Sequence, residues 1–179
     1  TRLRELCWDE QQGFFFDYHH VRGQRQPYWS LCGYWALWAG VATRAQALRM
    51  VANLHRFEHA YGLAQTAEAY PSPHPEFSWV QWGFPAGWPP MHIQIVEGLD
   101  AYGFHADAER IARKYLGLML DCYRQTGRLW EKYNVVEGNL SFPAERYEVQ
   151  PMHGWASTVV VLFGRKLWGR GPRGGGRQA

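Results

Sequence analysis

Among the groups in this chain that could do chemistry, Glu131 is singled out by its neighbours: it lies just past Gly127, between Trp130 and Tyr133, in the run WEKYNV. A carboxylate hemmed by aromatic rings at the end of an element can be held to take a proton from water, the task of a general base. The alternative is a solvated turn on which Glu131 merely pairs with Lys132 or Arg128. Trp82, Trp88 and Trp155 stand among Gly and Pro in QWGFPAGWPP and PMHGWAS, where chain turns reach the surface. Flat apolar faces beside polar turn groups suit sugar rings, whose C–H faces stack on indoles while their hydroxyls need hydrogen bonds.

Other constellations carry less. His19 and His20 are adjacent and have neither an HExxH frame nor a third ligand, so no metal site and no cofactor are expected. Ser30 and Ser157 lack a GxSxG context, which argues against a serine hydrolase. Glu97, in IVEGL, falls in an apolar segment and reads as a buried, hydrogen-bonded structural carboxylate.

The elements that must position these residues read as helices. From Ala106 to Tyr123 apolar residues recur at three- and four-residue spacing, with Asp107 as candidate N-cap and Gly127 as stop. A second amphipathic segment starts after Thr43 and runs through Ala47, Leu48, Val51 and Ala52. Tyr28 to Ala42, Met91 to Tyr102 and Gly154 to Trp168 are apolar nearly all round, as buried helices are. Only short runs, Gly13 to Tyr18 and Tyr147 to Gln150, could be extended. Buried and amphipathic segments alternate, the order expected when inner helices line a barrel and outer helices wrap it, so the fold class is all-α, built from helical hairpins. RGQRQPYW, QWGFPAGWPP and VQPMHGW each precede a buried helix, and in such a barrel these loops share one mouth, with Trp82, Trp88, Glu131 and Trp155 gathered there.

Composition bounds the function further. The chain has 179 residues, 46% of them apolar, enough for one domain with a real core. Arg165, Lys166, Arg170, Arg173 and Arg177 lie in the last fifteen residues; removing those five charges from a net charge of +3 leaves the body at −2. A near-neutral body without a basic face argues against nucleic acid as partner. No run of apolar residues is long enough for a membrane span and TRLRELCWDE has no signal-peptide features, so a soluble protein with no membrane partner is expected. Cys7, Cys32 and Cys122 form no metal-ligand spacing and, being odd in number, no closed disulfide framework; buried thiols in a reducing, cytoplasmic compartment fit them best. The end of the chain, GRGPRGGGRQA from Gly169, is rich in Gly and Arg with nothing to bury and reads as a disordered basic tail, residues 169–179, after a folded unit of residues 1–168.

Two long segments resemble the trehalase family of glycoside hydrolases. QWGFPAGWPPMHIQIVEGLDAYG, Gln81 to Gly103, resembles the family signature QWDxPxGWxP followed by a helix ending in EGL. WEKYNV and then RYEVQPMHGWAS, Arg146 to Ser157, resemble the family's EKYDV, a Gly-rich stretch, and EYxxQxGFGWxNG; WDEQQGFFFDY, Trp8 to Tyr18, matches the segment that precedes the signature. Order and spacing agree over roughly residues 1 to 165. The resemblance implies an (α/α)6 barrel, of which 179 residues supply about half the helical hairpins, and an inverting hydrolysis of a disaccharide or small α-glycoside. Inversion uses a carboxylic acid that protonates the leaving oxygen and a carboxylate that activates water, about 6.5–9.5 Å apart. The resemblance places the base on Glu131 and sugar-binding positions on Gln81, Trp82, Trp88, Tyr133, Glu148 and Trp155, with the acid expected upstream of Thr1. A small carbohydrate is the implied partner, together with a homo-oligomeric copy or a complementing N-terminal half to close the barrel. The other class of function is a non-catalytic carbohydrate-binding or scaffold fragment of the same fold.

Three departures stand out. Gly83 replaces the Asp of QWD, Arg146 occupies the position of the Glu in EYxxQ, and VEGNLSFPAE, Val136 to Glu145, replaces the Gly-rich stretch.

Overall fold

The computed structural model describes residues 1–72, 81–142, 147–152 and 154–169. The largest elements are three helices: α4 over Pro89–Ala101, α5 over His105–Thr126 and α6 over Gly154–Trp168. Before them come α1 (Arg2–Cys7), a 3-10 turn (Leu31–Tyr34) running into α2 (Trp35–Trp38), and α3 (Arg44–Ala52). The connections fold as hairpins of two-residue antiparallel strands. They are β1 (Trp8–Asp9) with β2 (Phe14–Phe15), β3 (Tyr18–His19) with β4 (Gln24–Arg25), and β5 (Glu58–His59) with β6 (Gly62–Leu63). A fourth pair, β7 (Ala86–Gly87) with β8 (Tyr133–Asn134), joins the two segments that carry the candidate site, Ala86 facing Asn134 and Gly87 facing Tyr133.

Local sequence explains the main helices. Pro89 and Pro90 stand at the first positions of α4, where a missing N–H costs nothing and the fixed φ favours the helix. α5 begins two residues before the candidate cap Asp107, which instead lies in its first turn and pairs with Arg110 at 2.6 Å; Phe104 precedes the helix without a side-chain cap. The end of α5 is where the sequence puts it, at Gly127 in the left-handed conformation. Thr43 and Gln46 form a reciprocal capping box on α3.

α4 is central and packs against α2, α5 and α6. Its Ile95 and Leu99 meet a core that includes Ile111, Tyr115 and Met119 of α5 and Val159 and Phe163 of α6. The approach of α2 depends on Gly98: a Cβ there would lie 2.9 Å from the backbone N of Trp38 and 3.1 Å from Cβ of Leu37. A second aromatic core gathers Phe14, Trp29, Tyr34 and Phe57 under the N-terminal hairpins.

Four expectations need correction. Tyr28 to Ala42 is not one buried helix but an extended lead, a 3-10 turn and a single α turn, because Gly33 and Gly40 flank a short aromatic run whose Trp35 and Trp38 face outward. Glu97 is exposed rather than buried, and accepts from the Trp38 indole N–H at 2.9 Å. Tyr147 to Gln150 is no strand; its end is tied instead by the Glu131 N–H donating to the Gln150 carbonyl at 2.9 Å. Of the three thiols only Cys122 is buried; Cys7 and Cys32 are half-buried, and all three are free. Apolar flanks are exposed on α2 and α6, at Trp35, Trp38, Val161 and Trp168. No helix among the described residues is long and apolar enough to cross a membrane. Of the expected basic tail, residues 170–179 lie outside the described residues, as do Arg146 and Glu145.

Candidate active site

The site is assembled by two backbone connections that bring distant segments together. The β7–β8 pair places the chain leaving Trp88 beside the chain leaving Glu131. A bridge between Trp130 and Pro151, flanked by the Met152 N–H donating to the Leu129 carbonyl at 2.9 Å, brings the start of α6 to the same place.

Three indoles form its floor. Trp82 lies flat on Trp88, centroids 3.8 Å apart and planes 6° from parallel, while the edge of Trp155 meets both at 6.0–6.4 Å. Trp88 is the supporting layer, only 1% exposed; Trp82, at 41% exposure, offers its outer face to solvent. Glu131 sits at the rim, half-buried. Its carbonyl accepts from the Trp155 indole N–H at 3.1 Å, and both carboxylate oxygens lie 3.0 Å from the hydroxyl of Tyr147. That hydroxyl in turn accepts from the side-chain amide of Gln81. The carboxylate is therefore anchored by a hydrogen-bond chain rather than standing on a solvated turn. Beneath it Lys132 is fully buried, its ammonium 5.1–5.2 Å from the ring centres of Trp88, Phe142 and Tyr147.

Trp82, Trp88, Glu131 and Trp155 are thus gathered, with Gln81 joined to them through Tyr147. Tyr133 is not at the surface of the site. It is fully buried against Tyr115, its hydroxyl accepts from the Trp130 N–H at 2.9 Å, and desolvation pushes its phenol up to about 12. From there it fixes the backbone just before Glu131. Glu148 is exposed and lines a neighbouring hollow of about 710 Å³ with Trp130, Phe142 and Tyr147. Sequence reasoning passed over Tyr147, and considered Lys132 only as an ion-pair partner of Glu131 on a solvated turn, whereas it is fully buried. The available signal for Tyr147 is its place one residue before Glu148 in RYEVQ.

The stretch that replaces the Gly-rich segment is a fixed turn over its described part. Asn134 organises it, its side-chain oxygen accepting from the N–H groups of Val136 and Glu137 at 3.1 and 3.0 Å and its amide donating to the Ser141 carbonyl at 2.8 Å. Deeper in, His92 stacks on Tyr115 with centroids 3.5 Å apart, accepts from the Leu63 N–H at 3.0 Å and, through Nδ1, donates to the Trp88 carbonyl at 2.9 Å. Burial drives its pKa down to about 3, so it is a neutral structural post under Trp88.

Helical hairpins bearing an indole floor with an anchored carboxylate at its rim define a class of site suited to a polyhydroxylated ring. Comparison with known proteins makes this specific. Residues 1–167 match the family model described as trehalase, and the chain belongs to that family. It is 40% identical over 140 residues to a probable trehalase of Eremothecium gossypii and 37% identical over 140 residues to a cytosolic neutral trehalase of Saccharomyces cerevisiae. Each match covers 76% of this chain and 19% of the relative. Among solved structures, neutral trehalase Nth1 from Saccharomyces cerevisiae superposes with a TM-score of 0.76 at 32% identity, over 93% of this chain and 28% of that one. A GH63 mannosylglycerate hydrolase from Thermus thermophilus in complex with glucose superposes with a TM-score of 0.65 at 25% identity, over 89% of this chain and 36% of that one. The chain spans about a fifth of the length of the curated relatives it matches.

Proposed function

We propose that this chain contributes the base and part of the sugar-binding wall to an inverting glycoside hydrolase acting on trehalose or a similar small α-glycoside. Residues 1–168 then form the C-terminal part of an (α/α)6 catalytic domain, and the general acid comes from residues outside the 179 of this sequence. The observation that carries the reading is the anchored Glu131 carboxylate beside the stacked Trp82 and Trp88. Glu131 takes a proton from water as that water attacks the anomeric carbon, while Trp82 supports the apolar face of the ring. Trp88 and Trp155 hold Trp82 and the Glu131 backbone in place. Gln81, one residue before Trp82, is a sugar-binding candidate, and Glu148 lines the hollow through which a larger substrate would extend. The cytosolic naming of the yeast relative and the three free thiols support a cytoplasmic setting.

Glu131→Gln keeps shape and hydrogen-bonding reach but cannot take the proton. In the protein expressed from its complete reading frame, kcat on trehalose should fall on the order of 10²–10⁴-fold with KM little changed. Proton NMR of the products first formed from trehalose should show α- and β-glucose in equal amounts, because the attacked ring emerges as β while the leaving ring keeps its α C1–O bond. Retained turnover in Glu131→Gln, or first products that are α-glucose alone, removes Glu131 from this role.

A further inference from the structure

One phenol joins the carboxylate of Glu131 to the amide of Gln81: the Tyr147 hydroxyl donates toward Glu131 and accepts from Gln81. We propose that Tyr147 is a positioning residue for the Glu131 carboxylate and that Gln81 acts on that carboxylate through Tyr147, so that the three side chains work as one unit. The inference rests on the reading of Glu131 as the base and adds to it two residues whose contribution is made through another group.

The geometry gives the mechanism of the hold. A phenol has a single proton, and here it is shared between two oxygens at 3.0 Å each, a three-centre bond. Such a bond fixes the plane of the carboxylate without saturating it. When a water approaches one oxygen, the phenol proton can settle on the other, leaving the first free to accept from the water. Gln81 sets the direction of that proton: its amide N–H occupies a lone pair of the phenol oxygen and turns the O–H toward Glu131. Lys132 adds to the effect. Its ammonium lies 5.2 Å from the centre of the Tyr147 ring, where a cation draws on the π electrons and makes the phenol a better donor. The same ammonium is 5.1 Å from the Trp88 ring, so the floor of the site and the clamp on the carboxylate share one buried support. Neither Tyr147 nor Gln81 needs to meet the substrate for this to matter, because a base displaced by an ångström loses much of its effect.

Two measurements test the unit. In this chain, with glutamate carboxyl carbons labelled with 13C and the Glu131 resonance assigned from Glu131→Gln, Tyr147→Phe should move that resonance. Gln81→Met should also move it, but not when Tyr147→Phe is already present. An unmoved resonance in Tyr147→Phe, or the same displacement by Gln81→Met in both backgrounds, overturns the proposal. Where Tyr147→Phe does not fold, Gln81→Met alone carries the test, and an unmoved Glu131 resonance then overturns the relay. In the protein from the complete reading frame, Tyr147→Phe should lower kcat on trehalose about 10–100-fold with KM within about twofold. A rise in KM alone makes Tyr147 a substrate contact and overturns the assignment. Glu131→Gln run beside it separates the two readings: full turnover there refutes the base itself, whereas loss there with a normal Tyr147→Phe refutes only the positioning role.

Discussion

At the scale of single residues, the two stacked indoles separate a binding role from a structural one. Trp88 is enclosed, under Trp82 and beside the Lys132 ammonium, whereas one face of Trp82 is open. Trp88→Ala should therefore lower stability by about 3–5 kcal/mol, the cost of emptying a large aromatic site. Trp82→Ala should cost less than about 1 kcal/mol and raise KM for the sugar instead. Urea denaturation followed by far-UV circular dichroism gives the first pair of values and initial rates the second; equal destabilisation by both changes would deny the layered floor. The sequence could mark all three indoles, because each stands among turn residues, but could not rank them, since Trp82 and Trp88 sit in similar Gly- and Pro-rich surroundings. Tyr133 was misplaced for a related reason. Two residues from Glu131 in the chain, it points into the core, an orientation set by the β7–β8 pairing and invisible in WEKYNV read alone.

At the scale of elements, the start of α3 after Thr43 and the stop of α5 at Gly127 were legible, whereas Asp107, read as the cap of α5, lies in its first turn. Thr43 with Gln46, the paired prolines of α4 and Gly127 each act within a turn of their own position. The segment around α2 was misread because its apolar residues have two possible destinations, core or outward face, and only packing decides between them. Leu31, Tyr34 and Leu37 go inward; Trp35 and Trp38 lie outward, tied by their indole N–H groups to Gln94 at 2.7 Å and Glu97 at 2.9 Å on α4. Gly98 is what lets the two elements come this close. Gly98→Ala gains helix propensity, but its methyl would strike the Trp38 backbone N at 2.9 Å, and backbone cannot rotate out of the way. Overpacking should win, with a net loss of about 1–3 kcal/mol. A midpoint of denaturation equal to or above that of the unsubstituted chain would show that α2 can retreat from α4.

At the scale of the whole molecule, stability should depend on pH through a residue far from solvent. His92 joins three parts of the fold: it stacks on α5 through Tyr115, takes the N–H of Leu63 from β6 and donates to the carbonyl of Trp88 at the head of α4. Desolvation is the main cause that lowers its pKa to about 3 from an ordinary 6.5, opposed by the bond to Trp88. A charged ring would also have to release Leu63, because Nε2 could no longer accept. Between those two values the unfolded chain binds a proton at this position and the folded chain does not, so folding is favoured by raising the pH. The contribution is fully present above pH 6.5 and is lost as pH falls toward about 3, at about 1.4 kcal/mol per pH unit. From pH 7 to pH 5 the unfolding free energy from urea titrations should drop by about 2 kcal/mol through this residue alone. Glu58, held below its ordinary range by Arg110 and Lys114 against the opposing effect of burial, adds a loss of the same sign, but only at lower pH. His92→Gln keeps an oxygen that can accept from Leu63 and carries no titratable group. It should be less stable than the unsubstituted chain at pH 7 and should flatten the drop between pH 7 and pH 5. An undiminished drop in that variant would place the acid sensitivity elsewhere and would mean that the ring under Trp88 can carry charge in the folded protein.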